Sequence, residues 1–254
     1  MRAFVSAAWA ILLRDYRVRF RRTLLGVLWV FVPLFTLSAM ALFVGKGMGF
    51  YDATDADNYL LRLVAGLICW QLFADAWLEP MRLARRASGI LRSVTFDQRT
   101  LLAAGALSAL ISFVIKAPVL IAVLLWLQPT VTQSAWFLPM GIVLLLASGA
   151  ALACFTLPVS LALLDIRYAM PFVQYTLLLA TPIFYAQPDK GLLFLINRYN
   201  PFSYLVPSVR DLLTGPTPDG VSIIVASLVA AAIFAAGLHY FRAKIHLAIA
   251  YIGR

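Results

Sequence analysis

The chain has 254 residues, of which 63% are hydrophobic and only 13% charged, with a formal net charge of +10 and a mean hydropathy of +0.89. A water-soluble domain is nearer half apolar and a quarter charged, so this composition excludes one. At about 20 apolar residues per membrane crossing, six spans and their connections use nearly the whole length. No separate soluble domain fits, and the positive charge reads as membrane-surface charge rather than a nucleic-acid footprint.

Residues 3–22 read as an amphipathic helix. Val5, Trp9, Leu12, Leu13, Tyr16 and Phe20 recur at helical spacing, while Arg14, Arg17, Arg19, Arg21 and Arg22 with Asp15 fill the other side. Such a helix lies in the headgroup plane. It lacks the short apolar core and small-residue cleavage site of a secretory signal. Span one is expected over 24–44, with Gly26 and Pro33 inside it, followed by an outer loop carrying Lys46, Asp52, Asp55 and Asp57. Span two is expected over 59–79 and a basic inner loop over 80–100, in which residues 88–92 form a short helix. Spans three and four are expected over 101–127 and 136–164, joined by an uncharged outer turn, and 165–168 is expected as a tight inner turn. Span five is placed at 169–186 and span six at 221–241.

Arginine and lysine fall mainly on alternating connections: before span one, between spans two and three, at Arg167, and at Arg242, Lys244 and Arg254 after span six. Short basic loops stay in the cytoplasm, so both termini are expected there. The stretch 187–220 is exceptional. Segments 192–196 and 202–213 are too short to cross about 30 Å of hydrocarbon, and Asn200-Pro201 interrupts them because the residue before proline leaves the helical region. Two half-length helices that dip in and return fit best, since irregular backbone at that depth must be surrounded by protein or water. The expected fold class is therefore an all-α integral membrane protein: six transmembrane helices, an N-terminal amphipathic interface helix, and re-entrant outer helices between spans five and six. The domain assignment is a single transmembrane domain over 1–254. The small-residue patches at 147–151 and 230–237 favour close helix packing.

Catalytic chemistry is sparse. Cys69 and Cys154 lie in apolar runs without ligand spacing and read as packing residues. His239 and His246 have no nearby carboxylate, and no nucleophile elbow, zinc motif or metal set occurs. No enzyme activity and no metal are expected in this chain. The phosphate loop of nucleotide-driven proteins is absent, so any ATP must bind a separate polypeptide. Asp75 and Glu79, four apart, share one helix face. Glu79 reads as a partner of Arg82 one turn later, with a proton relay as the alternative for intramembrane carboxylates. Arg62 is near enough to an end to snorkel, whereas Lys116 either snorkels or lines a pore. Trp29, Phe35, Trp70, Phe73, Phe184 and Tyr185 read as interface belts or as an aromatic lining for a sugar chain.

The order of these features resembles a known family. The Arg-rich helix, then Arg21-Arg22-Thr23-Leu24-Leu25-Gly26-Val27-Leu28-Trp29, then Pro33-Leu34, is similar to the opening of type-2 ABC exporter permeases for bacterial polysaccharides, which include O-antigen, capsule and teichoic acid exporters. Residues 89–96, Gly-Ile-Leu-Arg-Ser-Val-Thr-Phe, resemble the family's inner-loop segment, with Asp97 in place of its proline and Arg92-Ser93 in place of a basic pair. Asp165-Ile166-Arg167-Tyr168 stands where the family has an Arg-Asp turn. Thr181-Pro182-Ile183-Phe184-Tyr185 matches the end of the fifth span, and Asn200-Pro201 with Arg210-Asp211 the outer re-entrant segment.

The resemblance implies a homodimer bound to two copies of a cytoplasmic ATPase, which carry the ATP and magnesium. It implies a polyprenyl-pyrophosphate-linked glycan as substrate in a bacterial inner membrane. Ser88, Gly89, Ile90, Leu91 and Arg92 would seat in the ATPase. Arg14, Arg17, Arg19, Arg21 and Arg22 would hold pyrophosphate or lipid headgroups. Asn200, Pro201, Tyr204 and Arg210 would belong to an outer gate. A type-2 permease for a small amphiphile, a self-sufficient proton-coupled transporter using Asp75, Glu79 and Lys116, and a membrane transferase for polyprenyl lipids are the competing readings.

Overall fold

The computed structural model describes residues 9–10, 12–16, 26–47, 56–86, 99–127, 133–188, 190–214 and 220–251, and every regular element among them is helical. A 3-10 turn, Gly26–Val30, leads into α1, Val32–Gly47. Next come α2, Ala56–Arg86, and α3, Arg99–Leu127. A second 3-10 turn, Gln133–Phe137, leads into α4, Leu138–Ala162. Then follow α5, Leu164–Leu179, the short helices α6, Leu192–Tyr199, and α7, Phe202–Thr214, and finally α8, Gly220–Tyr251.

Three stretches are long and apolar enough to cross a membrane, Ala56–Arg86, Arg99–Leu127 and Gln133–Ala162. The most apolar 18-residue window of α2 is 83% buried inside the protein, against 17% in α3. So α2 is the central post and α3 is peripheral. It packs on α3 and α4, α8 packs along α4, and α7 touches both α2 and α4. In lipid the hydrocarbon competes with side chains on equal terms, so close backbone approach and hydrogen bonds hold helices together. Small residues permit that approach: a Cβ on Gly149 would lie within 2.7 Å of Ala76 Cβ in α2, and one on Gly237 would meet Ala151 O at 2.9 Å. The 147–151 patch thus faces its neighbours, whereas in 230–237 only Ala230 and Gly237 are buried and the alanines between them are exposed. Trp77 Nε1 adds a bond to Thr156 Oγ1 at 3.1 Å between α2 and α4.

Several boundaries differ from expectation. The connection between α4 and α5 is the single extended residue Leu163, with φ −121° and ψ 117°. Asp165 to Tyr168, expected as a turn, instead form the start of α5. At its other end α5 stops at Leu179, where Ala180 to Pro182 break the helix, so residues 180–186 are irregular rather than helical. Helix α2 in turn continues seven residues past the expected end of span two, through Pro80 to Arg86.

Candidate functional site

Two clusters of polar groups sit against α2, one toward each end. Toward the Arg86 end lies a chain of ion pairs. Lys116 of α3 places Nζ 3.4 Å from Asp75 Oδ2. Arg82 reaches Asp75 at 3.6 Å and Glu79 at 2.9 Å, and Arg86 reaches Glu79 at 3.0 Å. Arg86 also meets Asp15 at 2.5 Å, which ties the helical residues 12–16 to α2. The expected Glu79–Arg82 pair is present. Lys116 neither snorkels nor lines an open surface: it is 4% exposed, and its ammonium is held between helices by Asp75. Side chains tilt toward the N-terminus of their helix, and that tilt carries Lys116 toward Asp75. Asp75 and Glu79 are thus both engaged by cations, the arrangement of a structural network rather than of a free proton acceptor.

Toward the Ala56 end, α7 and residues 180–187 gather on α2, and α6 is tied to Tyr185 and to the start of α7. Asn200 Nδ2 donates to Ala180 O at 3.1 Å and to Thr181 Oγ1 at 3.3 Å, while its Oδ1 accepts from Phe202 N at 3.1 Å. One amide therefore turns the chain between α6 and α7 and ties it to the end of α5. Tyr185 Oη donates to Asn197 Oδ1 at 3.2 Å, and Tyr59 Oη to Phe184 O at 2.9 Å. Asn197, fully buried, was not singled out from sequence, and Thr181 only as part of the motif ending the fifth span; the one available signal for Asn197 was a polar side chain inside a short amphipathic run. Helix α7 starts with the Phe202 ring 4.7 Å from that of Phe73, which lies about 26 Å along α2 from Ala56. It ends where Ser134 Oγ, ahead of α4, donates to Leu212 O at 3.4 Å.

Behind α7 lies a cavity of about 290 Å³, lined by Asn58, Arg62, Tyr185, Gln187, Arg210 and Asp211 among others. Arg210 and Asp211 pair through two contacts of 2.7 and 3.2 Å, and Arg210 Nη1 also donates to Pro182 O at 3.3 Å.

The expected aromatic residues separate into two groups. Trp29 and Phe35 are about half exposed, on the outside of the chain, and Phe184 and Tyr185 are half-buried. Trp70 and Phe73 are 1% and 0% exposed and pack within the helix bundle, with ring centroids 5.3 Å apart. Tyr204 and Pro201 are exposed, and Asn200 is buried. Arg14 is exposed beside the buried Leu12. Arg17, Arg19, Arg21, Arg22, Ser88, Gly89, Ile90, Leu91 and Arg92 lie outside the described residues. Among the described residues no set of three metal-ligating side chains converges.

No family model matches the chain. It is similar to two proteins of Klebsiella pneumoniae, each named O-antigen export system permease protein RfbA. One is 25% identical over 213 residues, covering 80% of this chain and 78% of the relative. The other is 24% identical over 209 residues, covering 78% and 76%. The resemblance to polysaccharide-export permeases carried by the ordered motifs thus extends along most of the chain.

Proposed function

We propose that this chain is the permease subunit of an ATP-driven exporter, moving a polyprenyl-pyrophosphate-linked polysaccharide of O-antigen or capsule type across the bacterial inner membrane. The observation that carries this reading is α7 set against the middle of α2, with α6 tied to its start, on a chain similar over four-fifths of its length to named O-antigen export permeases. The Phe73–Phe202 contact at one end of α7 and the Ser134–Leu212 contact at the other support a re-entrant pair that starts at mid-depth and returns to the outer surface. In this reading α1 with its 3-10 turn, α2, α3, α4, α5 and α8 make six crossings, with both termini cytoplasmic.

The working unit is a homodimer with two ATPase copies. Segment 88–92 seats in the ATPase, and the chain itself has no catalytic role. The exposed apolar and aromatic faces of α1 and α5, with Trp29, Phe35, Tyr168 and Phe172, favour a pathway between protomers. Trp70 and Phe73 stiffen its wall from behind. Arg14, Arg17, Arg19, Arg21 and Arg22 attract the anionic headgroup as it approaches, since guanidinium groups bind phosphate with paired, charge-assisted hydrogen bonds. Asn200, Pro201, Tyr204 and Arg210 belong to the outer gate.

The test is reconstitution with the cognate ATPase in proteoliposomes. Lipid-linked glycan should stimulate ATP hydrolysis and move across the bilayer only with ATP present. Transport that ignores ATP and collapses with the proton gradient would replace this reading with a self-sufficient transporter. Transport of small amphiphiles with indifference to glycan would replace the substrate.

A further inference from the structure

At the Arg86 end of α2 a cavity of about 140 Å³ opens between α2 and the start of α5, walled by Leu78, Met81 and Met170 and bearing the side chains of Arg82, Arg85 and Arg167. The charges around it can be apportioned. Asp75, Glu79 and Asp15 are the three carboxylates of the ion-pair chain, and Lys116, Arg82 and Arg86 are its three cations. Among the described residues that network is balanced. Arg85 and Arg167 lie outside it, and neither forms an ion pair with a described residue. Arg167 is partly occupied: its Nε donates to Ser160 O at 2.6 Å, which fixes the side chain and leaves the two terminal nitrogens for another acceptor.

Asp165 is exposed and two residues from Arg167, about 200° around the helix, so it faces elsewhere. Arg167 also stands in the first turn of α5, where the peptide dipoles already point their positive end and no side chain caps the helix. A lone cation is disfavoured there and an anion is favoured.

A concave site with two surplus guanidinium groups, a third nearby, and apolar walls formed by methionine and leucine suits an acidic head on a greasy tail. We infer that this cavity seats a phosphoryl group of a membrane lipid. The same chemistry is offered by an anionic phospholipid headgroup and by the pyrophosphate of a lipid-linked glycan. The second source rests on the function proposed above, and the site itself does not.

The test uses the full-length protein in phosphatidylcholine nanodiscs, with native mass spectrometry reading the lipid retained after addition of phosphatidic acid or, in parallel, undecaprenyl pyrophosphate. Replacing both arginines (R85Q with R167Q) should lower retention of phosphatidic acid about tenfold or more, and R85K with R167K should restore part of it. R242Q with K244Q, which removes the same charge from exposed positions on α8, should leave retention unchanged. If undecaprenyl pyrophosphate falls in step, the cavity takes the export substrate; if phosphatidic acid alone falls, the occupant is an ordinary headgroup. Unaltered retention of both lipids in the double Gln variant, or an equal loss in the α8 variant, would overturn the site. Because no ATPase is involved, failure of the export assay would not mimic either result.

Discussion

The Lys116 ammonium lies 3.4 Å from Asp75, while Asp75 has a second cation, Arg82, at 3.6 Å. The dependence is one-sided. Lys116 is 4% exposed and has Asp75 as its only carboxylate among the described residues. D75N therefore strands a buried ammonium and should cost about 3 kcal/mol. K116M leaves Asp75 with Arg82 and should cost about 1 kcal/mol or less, and the double variant should recover most of the D75N loss. Thermal unfolding in detergent, followed by fluorescence-detected size exclusion, measures all three. Equal losses in both single variants would show that Arg82 does not hold Asp75.

Asn200 performs three bonds with one side chain, two as donor and one as acceptor. N200A should destabilise the α6–α7 turn by about 1–2 kcal/mol. N200D should be worse at neutral pH despite its similar shape. Its carboxylate can still accept from Phe202 N but would face Ala180 O, an acceptor, with no hydrogen to give. Limited proteolysis near 190 should rise in the order wild type, N200A, N200D. An N200D variant as resistant as wild type would remove this amide from the list of ties between α5 and α7.

The helix positions were legible because long charge-free stretches have few alternatives at this composition. Their ends were less so. Hydropathy falls at Glu79, yet α2 runs on to Arg86 because Glu79 pairs with Arg82 and Arg86 at helical spacing, giving the polar turns their own support. Asp165 to Tyr168 looked like a turn because they are polar between two apolar runs, but the chain needs only Leu163 to reverse. The partner of Lys116 was illegible because Asp75 lies 41 residues away on another helix. Trp70 and Phe73 could not be assigned to core or lining from position alone, since α2 is enclosed on nearly every side and its pattern marks no exposed face.

Two glycines mark where α2 meets its neighbours. A Cβ at position 149 would lie 2.4 Å from Phe73 O, and one at 105 would lie 2.4 Å from the Pro80 ring. Both obstacles are rigid, a backbone carbonyl and a proline, so neither can move aside cheaply. G149A and G105A should each cost about 1–3 kcal/mol through forced separation of the helices. A Cβ on Gly47, at the end of α1, would meet nothing within 4 Å among the described residues, and G47A should be neutral within about 0.5 kcal/mol. The same unfolding assay separates these outcomes. A neutral G149A would mean that α2 and α4 are less closely apposed.

Topology can be read with little background because both native cysteines are buried, Cys69 at 5% exposure and Cys154 at 0%. The basic connections should resist translocation, so the two ends of α2 should lie on opposite sides of the membrane. A cysteine replacing Asp57, exposed at the start of α2, should react with a membrane-impermeant maleimide in intact spheroplasts. One replacing Ser88 should react only after permeabilisation, and bound ATPase should then shield it. Reaction of the position-88 cysteine from outside would reverse the orientation of the helices. It would also detach segment 88–92 from any intracellular motor, because an ATPase docked there would be on the side without ATP.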